Sequence, residues 1–150
     1  MDDFSARPGE PNVYGLVGGD ANAIEPGKRM LSSMTPTFVQ TADGLAILGT
    51  PGGSRIISMV LLAILELADG KGPKAWVERP RFHHQYLPDQ VQFEPEAFSE
   101  TLRQQLSGMG HELKPQRQPY GNMQAIYWNR QTGEVTAASD TRGMGRAMIR

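Results

Sequence analysis

The sequence predicts an α+β fold, and three observations carry that prediction. Two pairs of strand-like segments flank turns at Ala42-Asp43-Gly44 and at Asn129 to Gly133. One strongly apolar helix lies between them, and a second helical periodicity precedes the second hairpin. Hairpin, helix, helix and strands in that order build layers of sheet and helix around one core. At 150 residues the chain fits a single domain, 1–150.

Residues 1–36 contain four Pro, five Gly and little hydrophobic periodicity. That is long for a structureless connection in a compact domain, so the segment reads as a site-forming loop region. Val13-Tyr14-Gly15-Leu16-Val17 is expected to form a short strand inside it. The sheet and helix layers occupy 37–150. Thr37 to Thr41 and Leu45 to Leu48 form a β-hairpin with a glycine-containing turn. After Gly49-Thr50-Pro51-Gly52-Gly53, Ser54 is placed to N-cap a helix to about Ala68, with Gly70 as its stop. That helix carries nine large aliphatic side chains in fifteen positions, so it is expected to lie between layers. A short helix beyond Gly72 ends at Glu78, before Pro80. Val91 to Phe93 reads as a strand. Phe98, Leu102 and Leu106 give Glu96 to Met109 an amphipathic helical stripe closed by Gly110. Met123 to Trp128 and Glu134 to Ala138 make the second hairpin.

Composition excludes several function classes. The 39% of apolar residues, supplemented by 17 Gly, is ordinary for a globular chain. A net charge of -1 with no basic block argues against a nucleic-acid partner. The absence of Cys excludes disulfides, thiolate metal sites and cysteine nucleophiles, and leaves the compartment open. The longest apolar stretch, Met59 to Leu65, is far short of the ~20 residues that cross a bilayer. The start, Met1-Asp2-Asp3, has neither the basic region nor the apolar core of a signal peptide.

Four clusters could carry chemistry: Asp2-Asp3, Ser32-Ser33, Gly52-Gly53 and Arg81-Phe82-His83-His84. Adjacent histidines on a strand cannot face one metal, and no third ligand stands at helical spacing, so no metal or cofactor is expected. The glycine pair is more specific. A strand, then Gly-Thr-Pro-Gly-Gly-Ser, then a helix leaves backbone N–H groups pointing outward as a nest for an anion or an oxyanion. The same sequence equally suits a tight strand-to-helix turn that needs positive φ at glycine. No Lys follows the glycines, as a phosphate-binding Walker loop requires, and no Ser stands between them, as a nucleophile elbow requires.

Taken together, the segments resemble the small subunit of the γ-glutamyltranspeptidases. They are Met1-Asp2-Asp3-Phe4-Ser5, Pro26 to Thr37 with its Leu31-Ser32-Ser33-Met34, Gly49 to Ile57, Arg79-Pro80-Arg81-Phe82-His83-His84-Gln85, and Ala138-Ser139-Asp140-Thr141-Arg142. Order and spacing agree over essentially all 150 residues. The resemblance implies part of the αββα four-layer sandwich of the N-terminal nucleophile hydrolases, in a precursor that cuts itself into two subunits. It implies that Asp3 binds the α-amino group of a γ-glutamyl substrate and that Ser32 and Ser33 hold its α-carboxylate. It gives the backbone N–H groups of Gly52 and Gly53 the oxyanion hole. The implied activity is γ-glutamyl transfer or glutathione hydrolysis, from glutathione or another γ-glutamyl compound to an amino acid, a peptide or water. The family's nucleophilic Thr lies upstream of Asp-Asp-Phe-Ser, on a stretch these residues do not contain, so the chain alone is expected to be inactive. The large subunit, the implied partner, contributes an Arg to the α-carboxylate. Met30 and Thr141 stand where Pro is common in the family. A periplasmic or secreted location is implied as well. In that fold, this chain alone would leave sheet edges unpaired and one face of helix 54–68 uncovered. Two alternatives to the enzyme stay open: a non-catalytic module that binds γ-glutamyl compounds or amino acids, and a structural partner of a separate large chain.

Overall fold

A computed structural model describes residues 3–150; Met1 and Asp2, the latter half of the acidic pair, lie outside the described residues. Seven strands and three α-helices follow one another: β1 Thr37–Gln40, β2 Gly44–Gly49, α1 Ile56–Ala68, α2 Pro73–Glu78, β3 Phe82–His83, β4 Val91–Phe93, α3 Glu100–Gly108, β5 Leu113–Pro115, β6 Gln124–Asn129 and β7 Val135–Ser139. Strands β1, β2, β6 and β7 form one antiparallel sheet in the order β1-β2-β6-β7. Strands β3, β4 and β5 form a second, with β4 and β5 parallel.

The alternation of each strand decides which face is covered. Ala46 and Leu48 of β2 and Ala125 of β6 point inward, where Ile56, Met59, Val60 and Ala63 of α1 and Trp76 and Val77 of α2 cover them. Trp76 is anchored at both ends: its indole N–H donates to the Lys71 carbonyl at 2.6 Å, and its ring meets Tyr127 edge-on at 6.0 Å. Val91, Phe93 and Phe98 form a smaller core beside β4. The opposite face of the large sheet is apolar and open. Phe38, Ile126, Trp128 and Val135 are all exposed there, in rows set by the pairings Phe38 with Ile47, Ile47 with Ile126 and Trp128 with Val135. Helix α1 likewise exposes Ile57, Leu61 and Leu65, a single stripe at fourfold spacing. Within this chain the helix is covered on one side, which is what its surplus of aliphatic side chains over one half-sheet requires.

Several expected elements are corrected. Val13 to Val17 is not a strand. The Asn12 side chain accepts from the N–H groups of Tyr14 (2.9 Å) and Leu16 (3.0 Å) and folds the segment into a turn. A single bridge, Pro11 to Val17, is all that remains of pairing there. Ser54 does not cap α1. It sits in a 3-10 turn, Gly53–Arg55, and its hydroxyl donates to Gln85 instead. The predicted 96–109 helix splits: Pro95–Ala97 is a 3-10 turn, Phe98 is extended with its ring buried against Phe93, and α3 starts after Ser99, whose Oγ accepts from Leu102 N–H at 3.2 Å. Strands β3 and β5 are too short to carry a sequence signal.

Charged groups are buried where the layers meet. Asp140 at the end of β7 accepts from Arg81 Nη2 (2.5 Å), from Met123 N–H (3.0 Å) and from Arg142 N–H (3.0 Å) and Nη1 (3.1 Å). Glu94, just after β4, accepts from Arg81 N–H (2.9 Å), Tyr120 N–H (3.2 Å) and Arg142 Nε and Nη2 (2.9 and 2.7 Å). The Arg81 guanidinium also donates to the carbonyls of Tyr120 and Val77. Glu66 of α1 is buried as well, between Lys71 (2.7 Å) and Arg79.

Burial raises the Asp140 carboxyl, but the hydrogen bonds from Arg142, Met123 and Arg81 outweigh it and hold the group below its ordinary 3.8. A carboxyl depressed by folding stabilises fully above its unfolded value and loses that contribution as the pH falls through the folded one. Replacing Asp140 by Ala strands the buried Arg81 guanidinium and the Met123 N–H, at a cost of about 3–5 kcal/mol. Urea unfolding at pH 7 should show that loss for Asp140→Ala. The wild-type advantage should shrink below pH 4 and not above it.

Candidate active site

The expected head-group residues come together. Asp3, Ser32 and Ser33 line one cavity of about 900 Å³, walled by the 5–18 loop and by Asn22 and Leu31. Among the described residues before β1 the one regular element is a 3-10 turn, Asp20–Asn22, so side-chain clips hold the segment. Asn22 is the main one. Its Nδ2 donates to the Asp3 carbonyl at 2.6 Å and to Ser5 Oγ at 3.3 Å, while its Oδ1 accepts from Leu31 N–H at 3.2 Å. The Asn22 carbonyl accepts from Ser5 N–H at 2.9 Å. One amide therefore binds the acidic segment to the serine segment. Beyond it, Ser32 Oγ accepts from Met34 N–H at 3.2 Å, and Thr35 Oγ1 donates to the Ser33 carbonyl at 2.9 Å. Asn22 escaped the sequence analysis, because one Asn among loop residues carries no spacing signal.

Gly52 and Gly53 do not line that cavity. They form the turn between β2 and α1, with φ of 147° and 57°, backbone that only glycine adopts readily. Space forbids a side chain there too. A Cβ on Gly52 would lie 2.6 Å from Met59 Cε, and one on Gly53 would run into the Tyr14 ring. The N–H groups of both donate to no acceptor among the described residues. The turn thus presents two free donors in succession at the start of a helix, the arrangement that receives negative charge. The 12–16 loop links the two places: Asn12, Val13 and Leu16 line the cavity, and Tyr14 rests on Gly53.

The Arg81 to His84 cluster divides. Arg81 belongs to the buried charge network, and His84 pairs with Asp89 at 2.8 Å on the surface. His83 is buried, its Nδ1 2.7 Å from Ser58 Oγ and its Nε2 2.9 Å from Gln85 Oε1. Burial, opposed by the Gln85 hydrogen bond and reinforced by Arg55 and His84, holds His83 below its ordinary 6.5. The two imidazoles point into different surroundings. Arg55 donates to Gln92 Oε1 at 2.6 Å and stacks 4.7 Å over Tyr120, whose phenol is pushed up to about 12, first by burial. Among the described residues no three His, Cys, Asp or Glu gather as a metal site, and no helix is long and apolar enough to cross a membrane.

Removing the Asn22 clip should release the cavity wall without unfolding the layers. Asn22→Ala gives the exposed Leu31 N–H over to water, a local cost of about 0.5–1.5 kcal/mol. Hydrogen exchange should quicken at Leu31 while the amides of β2 and β6 keep their protection. Unchanged exchange at Leu31 would contradict the role.

Comparison with known proteins sets this geometry in context. The family profile described as Gamma-glutamyltranspeptidase matches residues 1–149. The glutathione hydrolase proenzyme of Escherichia coli (strain K12) is 46% identical over 147 residues, which cover 96% of this chain and 25% of that protein. The glutathione hydrolase proenzyme of Pseudomonas aeruginosa is 44% identical, covering 99% of this chain and 27% of that protein. The chain therefore spans about a quarter of the length of these curated relatives. A solved γ-glutamyltranspeptidase from Pseudomonas nitroreducens, complexed with L-DON, superposes with a TM-score of 0.87 at 42% identity, covering all of this chain and 79% of that one. The α+β arrangement is accordingly part of the four-layer αββα sandwich of the N-terminal nucleophile hydrolases. With sequence and fold in agreement along nearly its whole length, the chain belongs to the γ-glutamyltranspeptidase family.

Proposed function

We propose that this chain supplies the γ-glutamyl head-group site and the oxyanion hole of a γ-glutamyltransferase and glutathione hydrolase. The observation that carries the reading is the convergence of Asp3, Ser32 and Ser33 on one cavity, with the two free N–H groups of Gly52 and Gly53 across the 12–16 loop. An amino-acid head is a zwitterion. Its ammonium is matched by the Asp3 carboxylate, and its carboxylate by the hydroxyls of Ser32 and Ser33. The γ-carbonyl carbon is then attacked by a hydroxyl nucleophile, the Thr that the family resemblance places outside these residues. As the new C–O bond forms, charge moves onto the carbonyl oxygen, where two preorganised backbone donors stabilise it. Collapse expels the leaving amine, which takes up the proton given up by the attacking hydroxyl. Water or an amino-acid amine then attacks the acyl-enzyme, giving hydrolysis or transfer.

Several partners of this chemistry lie elsewhere in a longer protein on this reading. The curated relatives are named proenzymes and are about four times as long, consistent with an autoprocessed precursor that supplies a large subunit. The open faces point the same way. Phe38, Ile126 and Trp128 on the sheet, and Ile57, Leu61 and Leu65 on α1, form exposed apolar faces of the kind that mark a contact with further protein. On this reading, sheet and helix layers supplied by the rest of the longer protein cover them. The chain on its own has half a site and no turnover.

Two variants of the full-length protein that carries this chain separate recognition from chemistry. Asp3→Ala removes a desolvated charge pair with the substrate and should lower kcat/KM for a chromogenic γ-glutamyl anilide by about 2–4 kcal/mol, mostly through KM. Gly53→Ala should instead reduce kcat by about 10²–10³. Wild-type kinetics for Asp3→Ala would reduce the acidic pair to solvated surface charge. A protein that binds γ-glutamyl compounds but never turns them over would be a binding module rather than an enzyme.

A further inference from the structure

The Gln85 side chain spends its whole hydrogen-bonding capacity beside the glycine turn. Its Nε2 donates to the Tyr14 carbonyl at 2.6 Å and to the Leu87 carbonyl at 2.5 Å. Its Oε1 accepts from Ser54 Oγ at 2.8 Å and faces His83 Nε2 at 2.9 Å. Chemistry fixes this orientation. The flipped amide would push its oxygen against two carbonyl oxygens, whereas the observed one gives every atom a complementary partner. The histidine tautomer follows. Gln85 Oε1 only accepts, so His83 carries its proton on Nε2, and His83 Nδ1 accepts from the Ser58 hydroxyl at 2.7 Å.

We propose that Gln85 is a positioning residue for the Gly52–Gly53 turn, oriented by His83 and Ser58; this rests on the reading of that turn as an oxyanion hole. The clamp acts from two sides. Through Ser54, Gln85 holds the residue that follows Gly53 in the chain. Through the Tyr14 carbonyl it holds the loop whose aromatic ring lies on Gly53. Ser58 lies four residues beyond Ser54, so the turn before α1 and the first turn of α1 are both tied to the 83–85 segment at the end of β3. The anchor beneath is rigid: β3 begins right after Arg81, whose side chain is locked in the buried charge network. Oxyanion donors work only within hydrogen-bond reach of the developing charge, and a displacement of ~1 Å can cost ~10²-fold in rate. Asp3, Ser32 and Ser33 are held through Asn22, Met34 and Thr35 rather than through Ser54, so a change at the Ser54 hydroxyl leaves the donor's binding in place.

The test measures γ-glutamyl anilide turnover in the full-length protein for wild type, Ser54→Ala, Ser54→Thr and Gln85→Leu. The expected result is a loss of about 10- to 10²-fold in kcat for Ser54→Ala and Gln85→Leu, with donor KM and melting temperature unchanged in Ser54→Ala. Ser54→Thr, which restores the hydroxyl, should recover most of kcat. Should Gln85→Leu fold poorly, the Ser54 pair decides alone. Wild-type kcat in Ser54→Ala overturns the positioning role and leaves the functional reading standing. A fall in kcat that tracks a fall in melting temperature, with no rescue by Thr, also overturns it. A wild-type protein without turnover overturns both this role and the reading on which it rests.

Discussion

Two carboxylates that would be costly to bury alone, Asp140 and Glu94, are each met by four donors, and the rest of the structure hangs on that arrangement. Burial of an ion is tolerated only when its lone pairs are filled, and here Arg81, Arg142 and backbone N–H groups fill them. The donors come from the segment after α2, from the 116–123 loop and from the end of β7, so one polar knot closes the large sheet against the small one. Such a network loses heavily when one member is removed, because the partner is then a buried, unpaired charge.

The consequences reach the glycine turn by packing. Arg81 donates to the Tyr120 carbonyl, and Gly121 lies so close to Arg81 and Met59 that no side chain fits. Met59 in turn lies under Gly52. Thr50 Oγ1 accepts from Asn122 N–H at 3.3 Å, which ties the strand end before the turn to the same loop. The turn thus stands on the charged knot through Met59 and is overlaid by Tyr14 and the Gln85 amide. The head-group cavity is made differently. It is assembled from loop residues, and a few polar clips, chiefly Asn22, do the work of secondary structure. On the proposed reading, rigid donors would face the reacting carbonyl and a clipped loop the amino-acid head, a division that follows from a site being only as exact as the elements that hold it.

How much of this the sequence disclosed depends on whether the cause was local. The hairpins at 37–49 and 124–139 were legible, because a turn glycine between alternating residues acts within a few positions. So was α1, from its aliphatic density, and α2, set between Gly72 and Pro80. The cap at Ser54 and the strand at Val13 to Val17 were misread for one reason: a side chain from elsewhere, or from just upstream, took the hydrogen bond. Ser54 gives its hydroxyl to Gln85, and Asn12 captures the amides that a strand would have used. Phe98 fits the helical stripe but is pulled into the small core beside Phe93. Asp140 and Arg142 stood out only through resemblance, since nothing nearby tells that they meet Arg81 and Glu94. Asp3, Ser32 and Ser33 stood out as short polar clusters, but their roles came only with the resemblance; the fold brings those three to one cavity.

The most direct measurement of the central claim is a crystal structure of the full-length protein that carries this chain, soaked with glutamate, the product of γ-glutamyl hydrolysis. The account predicts the glutamate ammonium against Asp3, its α-carboxylate on Ser32 and Ser33, and a γ-carboxyl oxygen within about 2.7–3.1 Å of the Gly52 and Gly53 nitrogens. Glutamate bound away from these five residues, or bound with its γ-carboxyl turned from the glycine turn, would contradict it.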